Sequence, residues 1–139
     1  MQLNDFHLPK TMKTLPIYAA LLAVLFVYLS VRTIRARRSL GIGLGHAESP
    51  VMLRAIRVHA NFAEYVPFAL LLIFLVETAG ANSWVVHALG ASLLVARLSH
   101  AYGVSQQAEN FKFRVFGMAT TFTVLLLSAA YLLVVTAVK

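Results

Sequence analysis

The chain contains no cysteine and few charged residues. Without cysteine it has no disulfide bond, no thiolate metal site and no cysteine nucleophile, and the sequence predicts no metal site of any kind. Charged side chains make up 12% of the 139 residues, whereas a soluble domain of this size usually carries about 25%. A water-exposed globular surface is therefore excluded.

Hydrophobic residues make up 60% of the chain, and they lie in four long segments. We expect an all-α integral membrane protein, a four-helix bundle forming a single domain over residues 1–139. The first apolar run, Leu15 to Val31, is followed by arginines instead of a cleavage site, which indicates a retained helix and not a signal peptide. The predicted helices cover approximately residues 13–38, 52–77, 82–103 and 113–138.

The basic residues are concentrated in two of the three connections between helices. Six arginines lie between or beside helices 1 and 2, and Arg97, Lys112 and Arg114 flank the connection between helices 3 and 4. The turn between helices 2 and 3 contains Glu77 and no basic residue. The positive-inside rule predicts that the two basic connections are cytosolic and that both termini lie outside the cytosol, although Lys10 and Lys13 oppose this.

The net charge of +7 is thus largely explained by topology. The basic residues sit beside apolar runs instead of on a solvated face, so we expect no binding of nucleic acid. The short chain and the absence of a targeting segment favour a bacterial inner membrane.

Helix 2 has polar residues at membrane depth. Its apolar run, Tyr65 to Val76, has 12 residues and covers about 18 Å of a hydrocarbon core roughly 30 Å thick. A spanning helix must therefore include Arg57, Asn61 and Glu64. Together with Arg54 these side chains fall within an arc of about 80° at 100° per residue.

Such a polar stripe is costly in lipid, so it should face a partner helix or a wet cavity. One interpretation is that Arg57 and Glu64 form ion pairs between helices. The end of helix 3, with Arg97 and His100, and the start of helix 4, with Arg114, belong to the same leaflet as the stripe. A polar site formed by three helices is the other interpretation.

The helix-2 residues resemble a family signature. Arg54, Arg57, Asn61 and Glu64, followed by Tyr65 and Pro67, are similar in order and spacing to helix 2 of the MAPEG family, the membrane-associated proteins in eicosanoid and glutathione metabolism. Ala96-Arg97-Leu-Ser-His100 is similar to that family's helix-3 end, and Arg35-Ala-Arg37-Arg38 to the basic run that ends helix 1. Length, helix number and predicted orientation agree over nearly the whole chain.

The resemblance implies a homotrimer that binds glutathione between neighbouring subunits near the cytosolic leaflet. It implies a glutathione transferase or peroxidase that acts on lipophilic small molecules among the membrane lipids. The implied glutathione-binding residues are Arg37, Arg54, Arg57, His59, Asn61, Glu64, Tyr65, Arg97 and His100, and the implied catalytic residue is Arg114.

The chemistry of glutathione fits this set of residues. Arginines such as Arg57 and Arg37 match its two carboxylates, Glu64 matches its ammonium group, and Asn61 matches its peptide bond. The thiol, with an ordinary pKa of about 8.5, needs a positive neighbour to ionise at neutral pH. Arg114 is the first candidate, with Lys112 and Arg97 as alternatives.

Other functions remain open at this point. One is a glutathione- or lipid-binding scaffold without chemistry, and another is a structural membrane subunit whose polar stripe pairs helices. A transporter is less well supported, because no helix is broken near its midpoint by Gly-Pro pairs. The sequence does not identify an electrophilic substrate.

Overall fold

The computed structural model describes residues 14–106, 108 and 110–138. It confirms the all-α membrane bundle. The predicted start of helix 1 at residue 13 lies outside the described residues, as do Lys10 and Lys13. The four helices are α1 (Leu15–Leu40), α2 (Pro50–Thr78), α3 (Ser83–Ser105) and α4 (Phe111–Ala137).

Length and composition allow α1, α2 and α4 to cross a membrane. With 23 residues, α3 is about 34 Å long, enough to cross the hydrocarbon core beside them. Many large apolar side chains on the outside of the bundle are exposed. A soluble protein would bury them, whereas a membrane protein presents them to lipid.

Short polar side chains set where three of the helices begin. The Ser49 side chain accepts a hydrogen bond from the Met52 amide, Asn82 accepts one from Trp84, and Asn110 accepts one from Lys112. Each side chain satisfies one of the amide groups that a helix leaves unpaired in its first turn. α2 therefore begins at Pro50, two residues before its predicted start.

The start of α1 is capped by a different helix. Glu77, in the last turn of α2, is 2% exposed, and its two carboxylate oxygens accept hydrogen bonds from the backbone amides of Thr14 and Leu15, at 3.0 and 3.2 Å. The side chain of Thr14 makes no cap of its own, and Pro16 has no amide proton. The carboxylate also complements the positive end of the α1 dipole.

Consecutive helices run antiparallel, so the bundle has two distinct ends. The end at which α1 and α3 finish and α2 and α4 begin is called the polar face. The end that holds Glu77 is called the opposite face. At the opposite face the Tyr18 hydroxyl and His87 Nδ1 are 2.9 Å apart, which joins α1 to α3.

The core lies along one side of α2, which contacts the three other helices. Val58, Phe62, Val66, Ala69 and Ile73 are buried and repeat at intervals of three or four residues, the spacing of a single helix face. The other side of α2 carries Arg57 and Glu64 and is exposed in a single chain.

The helices α3 and α4 pack closely because Gly117 has no side chain. A Cβ atom at this position would lie 2.6 Å from the carbonyl oxygen of Ala96 and 2.7 Å from the Cβ atom of His100. Since these are parts of the facing helix, the substitution would push α3 and α4 apart.

We expect Gly117→Ala to lower the free energy of unfolding by about 1–3 kcal/mol, the usual effect of overpacking a tight contact. Thermal unfolding in detergent, followed by circular dichroism, measures the effect. Gly43→Ala is the matched control, because a Cβ atom at Gly43 meets nothing within 4 Å. Equal stability of the two variants would contradict the prediction.

Candidate functional site

One pocket at the polar face contains most of the residues singled out in the sequence. It has a volume of about 270 Å³ and lies between α2, α3 and α4. We call it the polar pocket. Its lining residues are Leu53, Arg54, Arg57, Asn61, Glu64, His100, Val104 and Arg114.

The stripe on α2 forms one wall of the polar pocket. α2 is helical from Pro50 to Thr78, so side chains separated by three, seven and ten residues stay on one side of it. Arg54 and Asn61 are half-buried, whereas Arg57 and Glu64 are exposed. The Arg54 guanidinium also donates a hydrogen bond to the carbonyl oxygen of Gln106, at 2.5 Å, which attaches the start of α2 to the end of α3.

Arg97 lies behind the polar pocket instead of lining it. It is 1% exposed. Its Nη2 atom donates to the side-chain oxygen of Asn61 at 2.6 Å, and its Nη1 atom donates to the hydroxyl of Thr121 at 3.3 Å. A guanidinium has no acceptor, so the atom of Asn61 that faces Arg97 must be the amide oxygen. The amino group of Asn61 is therefore the group available to a ligand.

The charge of Arg97 is buried without an acidic partner. Within the described ranges no carboxylate lies at ion-pair distance from it, and its Nε atom and the Nδ1 atom of His100 have no hydrogen-bond partner there. The ring of Phe62 lies 6.0 Å from the guanidinium carbon, at the limit of a cation–π contact. A buried positive charge behind the pocket makes the pocket more attractive to an anion.

Arg114 contributes the positive charge from α4. The Asn110 cap starts α4 at Phe111, so Arg114 falls at the end of the first turn, where it is exposed and lines the polar pocket. Of the three cations considered as neighbours of a thiol, Arg114 lines the pocket, Arg97 lies behind it, and Lys112 is not among the lining residues.

Besides Arg97, three of the predicted binding residues lie outside the polar pocket in a single chain. His59 faces α1, where its Nε2 atom is 3.0 Å from the Ser30 hydroxyl and its ring stacks on Phe26. Tyr65 packs edge-on against Phe122 of α4. Arg37 donates hydrogen bonds to the carbonyl oxygens of Gly43 and Gly45 in the connection after α1.

Two residues at or behind the polar pocket were missed by reasoning from the sequence. Leu53 lines the pocket, and the hydroxyl of Thr121, on α4, accepts a hydrogen bond from Arg97. Thr121 could have been identified from its position seven residues after Arg114, because this spacing places both side chains on one side of α4. Glu77, by contrast, was assigned to a turn, and no local pattern indicates a contact with a segment 62 residues away.

Comparison with known proteins identifies the family of the chain. The sequence model of the MAPEG family matches residues 15–134. The chain belongs to the MAPEG family. It is 37% identical over 111 residues to the inner membrane protein YecN of Escherichia coli strain K12, covering 80% of this chain and 83% of that protein. The same values hold for YecN of Escherichia coli O6:H1.

The polar pocket of this MAPEG protein is suited to a small ligand with more negative than positive groups. Three arginines and one glutamate line it, a fourth arginine lies behind it, and Asn61 offers an amide. Arginines bind carboxylates through paired hydrogen bonds, and the single glutamate provides one position for a cation. Because the pocket lies at the end of an apolar bundle, a ligand there would meet molecules dissolved in the bilayer.

Proposed function

We propose that the chain binds glutathione in the polar pocket and acts as a membrane glutathione transferase or peroxidase on lipophilic electrophiles. The observation that carries the proposal is the gathering of Arg54, Arg57, Asn61, Glu64 and Arg114 in one pocket. These residues come from two helices and span 61 positions of the chain. MAPEG membership supports the same ligand.

The groups of glutathione correspond to the groups of the pocket. Arg57 and Arg54 would bind carboxylates, and Glu64 would accept hydrogen bonds from the ammonium group. The amino group of Asn61, oriented by Arg97, would donate to a peptide carbonyl. This division leaves Arg114 for the thiol.

Arg114 would act by stabilising negative charge. A guanidinium beside a thiol favours the thiolate, which is the reactive form, and it also stabilises charge that develops during the reaction. When bound, glutathione would supply the sulfur nucleophile that bonds to an electrophilic carbon as the leaving group departs. No nucleophile from the protein is needed, in agreement with the absence of cysteine.

We also propose a homotrimer in which the pocket is completed by a neighbouring subunit. Arg57 and Glu64 are exposed at membrane depth on α2, where a second copy would shield them from lipid. Arg37, which lies outside its own chain's pocket, would then reach a neighbour's.

The polar face is proposed to be cytosolic, with both termini on the other side of a bacterial inner membrane. The basic connections at the polar face support this orientation. YecN, the relative in Escherichia coli, is an inner membrane protein by name.

The proposal predicts that Arg114→Ala separates turnover from binding. We expect turnover to fall about 100-fold, the effect of removing one group that stabilises developing charge. The affinity for glutathione should change much less, because Arg57 and Glu64 remain. Conjugation of a chromogenic aryl chloride and glutathione binding by calorimetry, both in detergent, measure the two quantities.

Lys112→Ala is the comparison variant, because Lys112 carries the same charge two residues away. A larger loss of turnover in Lys112→Ala than in Arg114→Ala would overturn the role of Arg114. Absence of glutathione binding by the unmodified protein would overturn the proposed function. Binding without turnover by the unmodified protein would leave a scaffold that binds glutathione.

A further inference from the structure

A second recess, lined by both polar and apolar residues, lies on the outer surface of the bundle between α1 and α3, near the polar face. It has a volume of about 440 Å³, and we call it the α1–α3 groove. On α3, Leu98 lies about 160° around the helix from His100, so the groove and the polar pocket are on different sides of that helix. The groove is lined by Leu25, Tyr28, Leu29, Arg32, Leu98, Ala101, Tyr102, Ser105 and Gln106.

Arg32 is held across the groove by a hydrogen bond. Its Nη1 atom donates to the hydroxyl of Ser105, and that hydroxyl donates to the backbone carbonyl of Ala101. The guanidinium, half-buried, is thus attached to α1 and to α3 at once. This hydrogen bond restricts the long Arg32 side chain before a ligand arrives. Binding a ligand therefore costs less conformational entropy, which favours affinity.

Two tyrosines border the same groove. Tyr28 is 62% exposed and Tyr102 is 55% exposed, and Tyr102 is kept in place by an edge-on contact with Phe113, with ring centroids 5.2 Å apart. Tyrosine is enriched where a membrane protein meets the lipid headgroups, because its ring is apolar and its hydroxyl is polar.

The depth of Arg32 agrees with the headgroup level. It follows Leu15, the first residue of α1, by 17 positions, which corresponds to about 26 Å along the helix axis. The hydrocarbon core of a bilayer is about 30 Å thick. The guanidinium therefore lies near the boundary of the core, and Leu29 and Leu25, about one and two turns before it, lie within the core.

We propose that the α1–α3 groove binds one anionic phospholipid, with the phosphate on Arg32 and an acyl chain along Leu25, Leu29 and Leu98. An arginine donates paired hydrogen bonds to a phosphate. Among the lining residues within the described ranges none is acidic, so these residues offer no partner to the cation of a zwitterionic headgroup.

The apolar lining residues Leu25, Leu29 and Leu98 favour a lipid over a free anion as the ligand of the groove. A soluble phosphate would bind Arg32 and would leave the leucines without a partner. Basic recesses between membrane helices are a recurring form of anionic-lipid site.

Native mass spectrometry of the full chain in detergent tests the proposal. The protein is mixed with phosphatidylglycerol or with phosphatidylcholine of the same acyl chains. We expect phosphatidylglycerol to be retained about fivefold more strongly, since one basic residue near the surface contributes about 1 kcal/mol. Arg32→Gln should remove this preference. The matched Arg38→Gln should keep it, because Arg38 is exposed, lies about 120° around α1 from Arg32 and does not line the groove.

Equal retention of the two lipids by the unmodified protein would overturn the proposal, and this comparison does not depend on whether Arg32→Gln folds. An unchanged preference in Arg32→Gln would overturn it as well. Equal competition by glycerol phosphate, which has no acyl chain, would show an anion site without a lipid. Glutathione takes no part in the experiment, so its outcome is independent of the proposed function.

Discussion

Replacing Arg57 by alanine is expected to weaken glutathione binding about 10- to 100-fold. A hydrogen bond to a charged group contributes about 1.5–3 kcal/mol, and Arg57 would form such bonds with a carboxylate of glutathione. Arg57 is exposed on α2 in a single chain, so its removal opens no cavity in the subunit core. The loss should therefore be seen in affinity and not in folding of the subunit.

Isothermal titration of glutathione into the detergent-solubilised protein measures this effect. Arg38→Ala is the matched control, since it removes an arginine from the same face of the bundle and from outside the polar pocket. Equal affinities of Arg57→Ala and Arg38→Ala would mean that glutathione binds elsewhere. If only the net positive charge of the protein mattered, both substitutions would weaken glutathione binding equally.

The second large effect is expected at the opposite face, where Glu77→Ala should lower the free energy of unfolding by about 2–4 kcal/mol. The substitution removes both acceptors from the amides of Thr14 and Leu15. Each buried donor left without a partner costs about 1–3 kcal/mol, and the deleted side chain also leaves a void. Unfolding in mixed micelles with rising amounts of sodium dodecyl sulfate, followed by circular dichroism, measures the change.

A second substitution of Glu77 separates the effect of the helix cap from the effect of side-chain packing. Glu77→Gln keeps the volume but turns one acceptor into a donor, so we expect an intermediate loss of about 1–3 kcal/mol. Glu48→Gln is the control, because Glu48 is exposed in the connection between α1 and α2. If Glu77→Gln were as stable as the unmodified protein, the carboxylate would not be the cap that stabilises α1.

The bundle and one wall of the site were predictable from the sequence because both depend on spacing within a single helix. The apolar run after Tyr65 is too short to cross a bilayer, which required Asn61 and Glu64 to lie at membrane depth. The spacing of 100° per residue then put the stripe on one side of α2. Both inferences need only the geometry of an isolated helix.

The placement of Arg97, His59 and Tyr65 depends on how each helix is rotated against its neighbours. Arg97 was expected to line the pocket, but α3 is turned so that its guanidinium points between Asn61 and Thr121. His59 and Tyr65 are close to the stripe in sequence, yet they contact α1 and α4. Periodicity shows which residues share a side of a helix, and it does not show which neighbour that side meets.

The cap formed by Glu77 bears on how the protein is made. α1 is synthesised before α2, so the amides of Thr14 and Leu15 at first lack the acceptors that they have in the finished fold. Those acceptors arrive only after α2, whose last turn carries Glu77, has been synthesised and inserted. The cap of α1 is therefore complete only once α1 and α2 have formed a hairpin.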